Sequence, residues 1–208
     1  MNIQIEFQSI AAGEKNGDFV LYEELAGGTL VVLADGMGGL SFPEQAAKTV
    51  CEAVRYYFVH NEVSNPLNLI RRSIEYADNI LGELCYQKKS KMGAALTLMY
   101  ITNMQLYYTS LGDVRLYHKS IDGTITQLTT DDVVCIENEY YLTVCINGKG
   151  FRNPIEVQNI PMKIGDGFLL CSDGFYKCHH INAYLQNKEL PPLQHRKDDC
   201  SIIKVDIR

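Results

Sequence analysis

VVLADG at residues 31–36 and FLLCSDG at residues 168–174 share one pattern, an apolar run that ends on an aspartate followed by a glycine. Short apolar runs bounded by turn residues are typical of buried strands. A third acidic pair, Asp198 and Asp199, directly precedes the strand-like segment 200–205. The sequence therefore places three carboxylate positions at the ends of predicted strands, where the edge of a rigid sheet holds side chains in fixed positions.

These carboxylates predict a site for a divalent metal ion. Carboxylate oxygens are the ligands that hard cations such as Mg²⁺ prefer, and clustered carboxylates resist ionisation unless a cation lies among them. Asp-Gly is also a common turn pair, and the pairs at residues 122–123 and 166–167 are predicted to be plain turns. Asp35 and Asp173 differ from those pairs because each ends an apolar strand.

The composition predicts one soluble globular domain that spans residues 1–208. Hydrophobic residues make up 46% of the chain and charged residues 21%, which are globular values. The formal net charge of −6 argues against a surface for nucleic acid or an anionic membrane, which needs clustered Lys and Arg. No apolar run approaches the ~18 residues of a membrane helix, and we expect no signal peptide. Seven cysteines without a Cys-x-x-Cys pair indicate a reducing compartment, so we expect a cytoplasmic protein.

Two amphipathic helices and many strands are predicted. Ser41 and Glu44 have the spacing of a capping box, which predicts the start of a helix that continues to Phe58. Asn65, followed by a proline, predicts the start of a second helix that reaches Leu84. After these helices, short strands follow one another through tight connections, which predicts an antiparallel meander. Later strands are predicted at residues 140–146, 155–160, 167–171 and 200–206, with a short helix at residues 181–186. This order favours two packed sheets with helices outside them.

Five short motifs occur in one order along almost the whole chain. They are DGMGG at residues 35–39, MGAAL at 92–96, LGDVR at 111–115, LCSDG at 170–174 and DDCS at 198–201. Together these motifs resemble those of the metal-dependent Ser/Thr protein phosphatases of the type 2C (PPM) family. The short chain and the phrase NGD at residues 16–18 most resemble the small bacterial phosphatases of stress-response and sporulation signalling.

The resemblance implies an α/β fold, a four-layer α/β/β/α sandwich of two antiparallel sheets flanked by helices. It also implies an enzyme, a Mn²⁺- or Mg²⁺-dependent protein-serine/threonine phosphatase with two metal ions and a place for a third. In such a site a metal-activated water attacks the phosphate of a phosphorylated protein substrate directly. Neither nucleic acid nor a membrane is expected as a partner.

The resemblance also assigns the metal ligands. Asp35 would bridge both metals, and the Gly36 carbonyl would bind one of them. Asp173 and Asp198 would hold the other, with Asp199 as the alternative to Asp198. The carboxylates of Asp35, Asp173 and Asp198 are therefore the candidate catalytic groups.

Two further carboxylates have weaker roles in the resemblance. Asp18 would reach a metal through water, and Asp113 would serve a third metal. The LGDVR phrase also allows a plain structural role, in which Asp113 pairs with Arg115 or caps a hairpin. Both interpretations of Asp113 stay open at this point.

The chain departs from the family pattern at several polar positions. The Arg that binds the substrate phosphate is replaced by Gly13 or Glu14, which leaves Lys15 as the candidate phosphate-binding residue. Gly17 stands where relatives carry a Glu, and the His that many relatives place near the first Asp-Gly is missing. Lys177 occupies a position after the second Asp-Gly that often carries another acid.

These departures leave two functions open. One is an active phosphatase. The other is a catalytically weak or inactive pseudophosphatase that binds a phosphoprotein or a regulatory partner through the same surface. Bound metals supply the largest catalytic contribution, which favours the enzyme. His195 is expected to be an exposed loop residue rather than a proton donor. The sequence predicts neither the substrate nor the oligomeric state.

Overall fold

Twelve strands and four helices make up the regular structure that the computed structural model describes, over residues 2–61, 65–137, 139–187, 190–193 and 197–208. The strands are β1 (Ile3–Ile10), β2 (Asp18–Leu25), β3 (Gly28–Gly36), β4 (Ala94–Thr102), β5 (Gln105–Leu111), β6 (Arg115–Lys119), β7 (Ile125–Gln127), β8 (Val133–Ile136), β9 (Glu139–Leu142), β10 (Gln158–Pro161), β11 (Gly167–Cys171) and β12 (Cys200–Ile207). The helices are α1 (Pro43–His60), α2 (Pro66–Lys88), α3 (Asp173–Tyr176) and α4 (Ile181–Gln186). His195 lies outside the described residues.

Ten of the strands form two antiparallel sheets. One, called the β3 sheet, has the order β10-β5-β4-β3-β2, and the other, called the β11 sheet, has the order β1-β12-β11-β6-β7. The strands β8 and β9 pair only with each other, as an antiparallel hairpin. The meander predicted after the helices is right only in its two halves. Strand β4 pairs with β5, and β6 pairs with β7 across the Asp122-Gly123 turn, but β5 and β6 belong to different sheets.

The two sheets are buried on both faces, which explains why their central strands are continuous apolar runs. Val32 on β3 packs with α1 and α2, whereas its neighbour Val31 packs with Phe168 of the opposite sheet. On the outer face of the β11 sheet, Leu169 packs with Leu185 of α4. The layers are therefore helices, sheet, sheet and helices, which confirms the predicted four-layer α/β/β/α sandwich.

The predicted capping box at the start of α1 is wrong. The helix begins at Pro43, and its N-cap is Phe42, which has a left-handed backbone (φ 53°) and makes no side-chain cap hydrogen bond. Ser41 is thus one residue too early to cap the helix, and Glu44 accepts a hydrogen bond from Lys15 instead. The predicted start of α2 is confirmed, because the Asn65 side chain accepts hydrogen bonds from the first turn of that helix.

The predicted strand at residues 140–146 is only half right. Strand β9 ends at Leu142, and Ile146 makes a single bridge to Ala94 of β4. The chain then turns towards α2, where the buried Asp78 carboxylate accepts hydrogen bonds from three backbone N–H groups of residues 147, 148 and 150, at 2.7–3.0 Å. These hydrogen bonds hold the segment after Ile146 against α2, and β10 starts only at Gln158 rather than at residue 155.

Replacing Asp78 with asparagine is expected to destabilise the fold by about 2–3 kcal/mol, because hydrogen bonds to a charged acceptor are lost inside the protein. The midpoint of thermal unfolding should fall by about 2–4 °C for each kcal/mol. Calorimetry of the metal-free protein measures this change. The matched control is Glu75→Gln on an exposed position of the same helix, which should change the stability by less than about 0.5 kcal/mol. Equal stabilities of the two variants would contradict the anchoring role.

The composition predicts reduced cysteines and no membrane helix, and the structure describes both the cysteines and the helices. The seven cysteines form no disulfide bond, and Cys51, Cys171 and Cys200 are buried, where they pack as small apolar side chains. In the described ranges, none of the helices combines the length and the apolar character needed to cross a bilayer.

Candidate functional site

Five carboxylates meet at one end of the two sheets. Asp18 begins β2 directly opposite Asp35 at the end of β3. Asp113 follows β5, Asp173 follows β11 and begins α3, and Asp198 lies just before β12. The negative charges of the other four all act on Asp35, so the fold brings together side chains that lie up to 180 residues apart in the sequence.

Burial and mutual repulsion raise the pKa values of this group. Burial, together with the negative charge of Asp173, raises the pKa of Asp18 to about 7 and that of Asp113 to about 6. The pKa of Asp35 lies well above its ordinary value, because of its burial and the four surrounding carboxylates. Burial and Asp173 also raise the pKa of Asp198. The cluster therefore holds its full negative charge only at a cost that a cation among the carboxylates would remove.

The donor set fits a hard divalent cation. Its groups are carboxylate oxygens, which Mg²⁺ and Mn²⁺ prefer. Asp18 is 5% exposed, and its Oδ2 accepts a hydrogen bond of 2.7 Å from Ser172. Its Oδ1 is buried and has no hydrogen-bond partner among the described residues. A buried carboxylate oxygen without a partner is costly, and a metal or a metal-bound water would satisfy it.

The carboxylates do not yet have the arrangement of a metal site. Among the residues that the structure describes, no group of three or more Asp, Glu, His or Cys side chains is placed so that it could hold one ion. The Asp173 Oδ2 atom is bound instead to the Lys177 Nζ atom, at 2.6 Å. Metal binding here therefore requires carboxylate side chains to move towards a shared ion.

Asp198 and Asp199 have different environments. Asp199 Oδ1 accepts the Ala12 N–H at 2.7 Å, and Asp199 Oδ2 accepts the Gly17 N–H at 2.6 Å. Both oxygens of Asp199 thus tie the β1–β2 loop to the start of β12. The Asp198 side chain is exposed and, among the described residues, accepts a hydrogen bond only from the Asp199 N–H, at 3.0 Å. Asp198 is therefore the freer ligand of the pair.

Two glycines allow the acidic loops to approach each other. A Cβ atom on Gly36 would lie 2.1 Å from the Pro43 carbonyl oxygen, where α1 begins. A Cβ atom on Gly174 would lie 2.0 Å from the Asp199 carbonyl oxygen. Any side chain at either position would push backbone away from the cluster, so the two Asp-Gly pairs of the sequence are required by close packing.

Lys15, the candidate phosphate-binding residue, lies outside the group of carboxylates. Its Nζ atom binds Glu44 Oε1 at 2.7 Å, and its side chain is 68% exposed. The hydrogen bond between Lys15 and Glu44, together with the attraction of their opposite charges, raises the pKa of Lys15 and lowers that of Glu44. Gly17, which replaces a carboxylate of the family pattern, donates its N–H to Asp199.

Arg115 does not pair with Asp113, so the pairing of these two residues, one of the two plain interpretations of Asp113, is wrong. Its guanidinium binds both carboxylate oxygens of Asp131, with a shortest distance of 2.7 Å. It also lies 3.6 Å from the ring centroid of Tyr176 on α3. A contact of the guanidinium with both oxygens of one carboxylate is a strong, geometrically specific ion pair. Arg115 thereby links the segment after β7 to the helix that begins at Asp173.

A cleft opens beside Asp113. Its volume is about 1070 Å³, and it lies between the end of β5 and the segments 128–132 and 142–158. Asp132 attaches the cleft to the site, because its backbone N–H and its carboxylate both bind the backbone of Gly112. The hairpin β8–β9 in the same part of the chain exposes Ile136 and Tyr140 to solvent.

Known proteins resemble the chain in sequence pattern and in fold. The family model described as Protein phosphatase 2C matches residues 8–198. None of the curated protein sequences matches the chain. The serine/threonine phosphatase PstP/Ppp of Mycobacterium tuberculosis is 20% identical, with a TM-score of 0.81 over 99% of this chain and 98% of that one.

Two similar structures contain metal ions. The catalytic domain of the phosphatase PstP in complex with two manganese ions is 21% identical, with a TM-score of 0.76 over 98% of this chain and 97% of that one. RsbX in complex with magnesium is 18% identical, with a TM-score of 0.74 over 99% of this chain and 96% of that one. At these identities the likeness establishes the fold alone.

Proposed function

Since the chain belongs to the protein phosphatase 2C family, we propose that it removes phosphate from phosphoserine and phosphothreonine of protein substrates at a Mn²⁺ or Mg²⁺ centre. The observation that carries this proposal is the convergence of Asp18, Asp35, Asp113, Asp173 and Asp198 from separate segments on one end of the sandwich. Structural stability alone gives no reason to gather so many carboxylates, because their repulsion opposes folding.

The proposed ligands are those that the sequence predicts. Asp35, opposite Asp18 and surrounded by the other carboxylates, would be shared by two ions, and the Gly36 carbonyl would add one ligand. Asp173 and Asp198 would hold the second ion, because Asp199 is occupied by backbone N–H groups. Divalent ions at such a site supply an activated water and offset the charge of the phosphate.

The remaining carboxylates would act around the ligands. Asp18 is fixed by Ser172 and directs an unpartnered buried oxygen into the cluster, which suits a hydrogen bond to a metal-bound water. Asp113 would serve a weaker third ion. The positive charge of Lys177 already acts on Asp113, and this reduces the need for that ion.

The cleft beside Asp113 would hold the peptide on either side of the phosphorylated residue. Its lining includes Leu111, two residues before Asp113, and its charged lining residues carry both signs. The residues with charged side chains are Asp132, Lys149, Arg152 and Glu156. A mixed lining favours substrates whose flanking residues are polar rather than strongly acidic or basic.

The proposal is tested by the hydrolysis of phosphoserine and phosphothreonine peptides by the purified protein. We expect release of phosphate with Mn²⁺ or Mg²⁺ and none after the metal is removed with a chelator. Restoration of the rate by added Mn²⁺ controls for damage by the chelator. Turnover that persists in the metal-free protein would contradict the proposal.

The second candidate is a catalytically weak or inactive family member that binds a phosphoprotein or a regulatory partner. One observation favours it: Lys15 is held by Glu44 rather than directed at the acidic cluster. This candidate predicts Mn²⁺ binding and phosphopeptide binding without turnover. If calorimetry shows that the protein binds a phosphopeptide with Mn²⁺ present but does not hydrolyse it, the result would favour this second candidate over the enzyme.

A further inference from the structure

Lys177 is fixed to Asp173 at two points. The short helix α3 begins at Asp173, and the Lys177 N–H donates to the Asp173 carbonyl oxygen at 3.0 Å. The Lys177 Nζ atom also donates to Asp173 Oδ2 at 2.6 Å. The backbone bond places the lysine one helical turn after the aspartate, where its side chain reaches back to the carboxylate.

The Lys177 ammonium acts on more than one carboxylate. Its positive charge lowers the pKa of both Asp113 and Asp198, against the burial that raises them. The pKa of Lys177 itself is raised; partial burial alone would lower it, but the hydrogen bond and charge of Asp173 outweigh that effect. Lys177 is therefore a charged lysine in the field of three candidate metal-site carboxylates.

The other cations near the site have different partners. Lys15 binds Glu44, and Arg115 binds Asp131. Within the described part of the chain, these pairs leave Lys177 as the cation that contacts a predicted metal ligand directly. The Lys177 side chain is 60% exposed, so the ammonium can move into solvent, whereas the Asp173 side chain is 18% exposed and stays in the cluster.

We propose that Lys177 is an internal counter-ion that competes with a divalent cation for Asp173, and so sets the metal concentration at which the site fills. This inference depends on the proposed metal centre. Without a divalent ion, the ammonium offsets part of the repulsion among the carboxylates. When an ion binds, Asp173 Oδ2 exchanges the ammonium for the metal, and the ammonium moves outward. Metal binding therefore breaks the ion pair between Lys177 and Asp173, and the positive charge of the nearby Lys177 ammonium repels the incoming cation.

The ion pair between Lys48 and Glu52 is the matched control. It also joins positions i and i+4 and includes a lysine of similar exposure, 56%. It lies on α1, and its carboxylate is 55% exposed. An exposed pair of this kind contributes little to stability and has no carboxylate cluster to neutralise.

The test is calorimetric titration with Mn²⁺ of the wild-type protein, Lys177→Met, Lys177→Arg and Lys48→Met. We expect the Lys177→Met protein to bind Mn²⁺ about tenfold more tightly than the wild type, because the competing charge is gone. Lys177→Arg keeps the charge and should stay close to the wild type, and Lys48→Met should equal it. Thermal unfolding of the metal-free proteins gives a second readout, in which only Lys177→Met should lower the midpoint.

The possible outcomes separate the two proposals. Equal or weaker Mn²⁺ binding by Lys177→Met, with normal binding by the wild type, would overturn the counter-ion role and leave the proposed phosphatase intact. If no variant bound Mn²⁺, the proposed metal centre would fail. In that case, a lower unfolding midpoint found only for Lys177→Met would show that Lys177 stabilises the group of carboxylates but does not compete with a metal ion.

Discussion

Asp35→Asn is expected to slow the Mn²⁺-dependent hydrolysis of a phosphopeptide by about 10³-fold or more, which corresponds to about 4 kcal/mol of lost transition-state stabilisation. The negative charges of four other carboxylates act on Asp35. A cation bound among these carboxylates must therefore lie near the Asp35 side chain. Asparagine keeps the size of the side chain and removes its charge. Steady-state rates at saturating Mn²⁺ measure the effect.

The control for this variant is Asp122→Asn. Asp122 also precedes a glycine, but it lies in the turn between β6 and β7, where its side chain binds Ser120 and Thr124. Its substitution should leave the rate unchanged within about twofold, as is usual for a surface position away from the site. Comparable losses in both variants would point to general damage, and full activity of Asp35→Asn would contradict the proposed ligand.

The metal-free protein is expected to lose stability as the pH rises from about 5 to about 8. The pKa values of Asp18, Asp35 and Asp113 are raised above 3.8, with Asp18 at about 7 and Asp113 at about 6. The folded state therefore binds protons more tightly than the unfolded state. The stability from these protons is fully present below the unfolded pKa and is lost as the pH rises through the folded values.

Urea unfolding in the presence of a chelator measures this dependence, with a loss on the order of 1–3 kcal/mol over that range. Asp18→Asn should flatten the profile and stabilise the metal-free protein at the upper end, whereas Asp122→Asn should leave the slope unchanged. Adding Mn²⁺ should raise the stability most where the carboxylates are ionised. A metal-free stability that is constant or increases over the same range would contradict the described electrostatics.

The strand ends of the site could be predicted because the signal is local. Asp35 and Asp173 each end an apolar run and precede a glycine, and the close approaches at Gly36 and Gly174 show why that glycine is needed. The four-layer fold followed from the family resemblance, and the continuous burial of strands such as β3 agrees with it.

The parts that the sequence did not predict depend on distant contacts. The Ser41 capping box failed because Phe42 adopts a left-handed backbone at the helix start. The strand predicted to reach residue 146 ends at Leu142, and the loop after Ile146 is held by Asp78, more than 60 residues away in the sequence. Neither contact leaves a periodic pattern in its own segment.

The partners of the cations near the site were also only partly predictable from the sequence. The spacing of Asp173 and Lys177 is visible in the sequence and could have indicated an ion pair, but only the fold shows that Asp113 and Asp198 share the field of that lysine. The alternative in which Arg115 pairs with Asp113 is wrong, because Arg115 binds Asp131, which lies beyond β7. Pairing between segments is decided by tertiary packing, which a single sequence does not display.

The most direct test of the proposed metal centre is the anomalous scattering of manganese from a crystal of the protein grown with Mn²⁺. We expect two strong peaks, one on either side of the Asp35 carboxylate, with Asp173 and Asp198 at a coordination distance of about 2.1 Å from one of them. Peaks elsewhere on the surface, or no peak near Asp35 at saturating Mn²⁺, would contradict it.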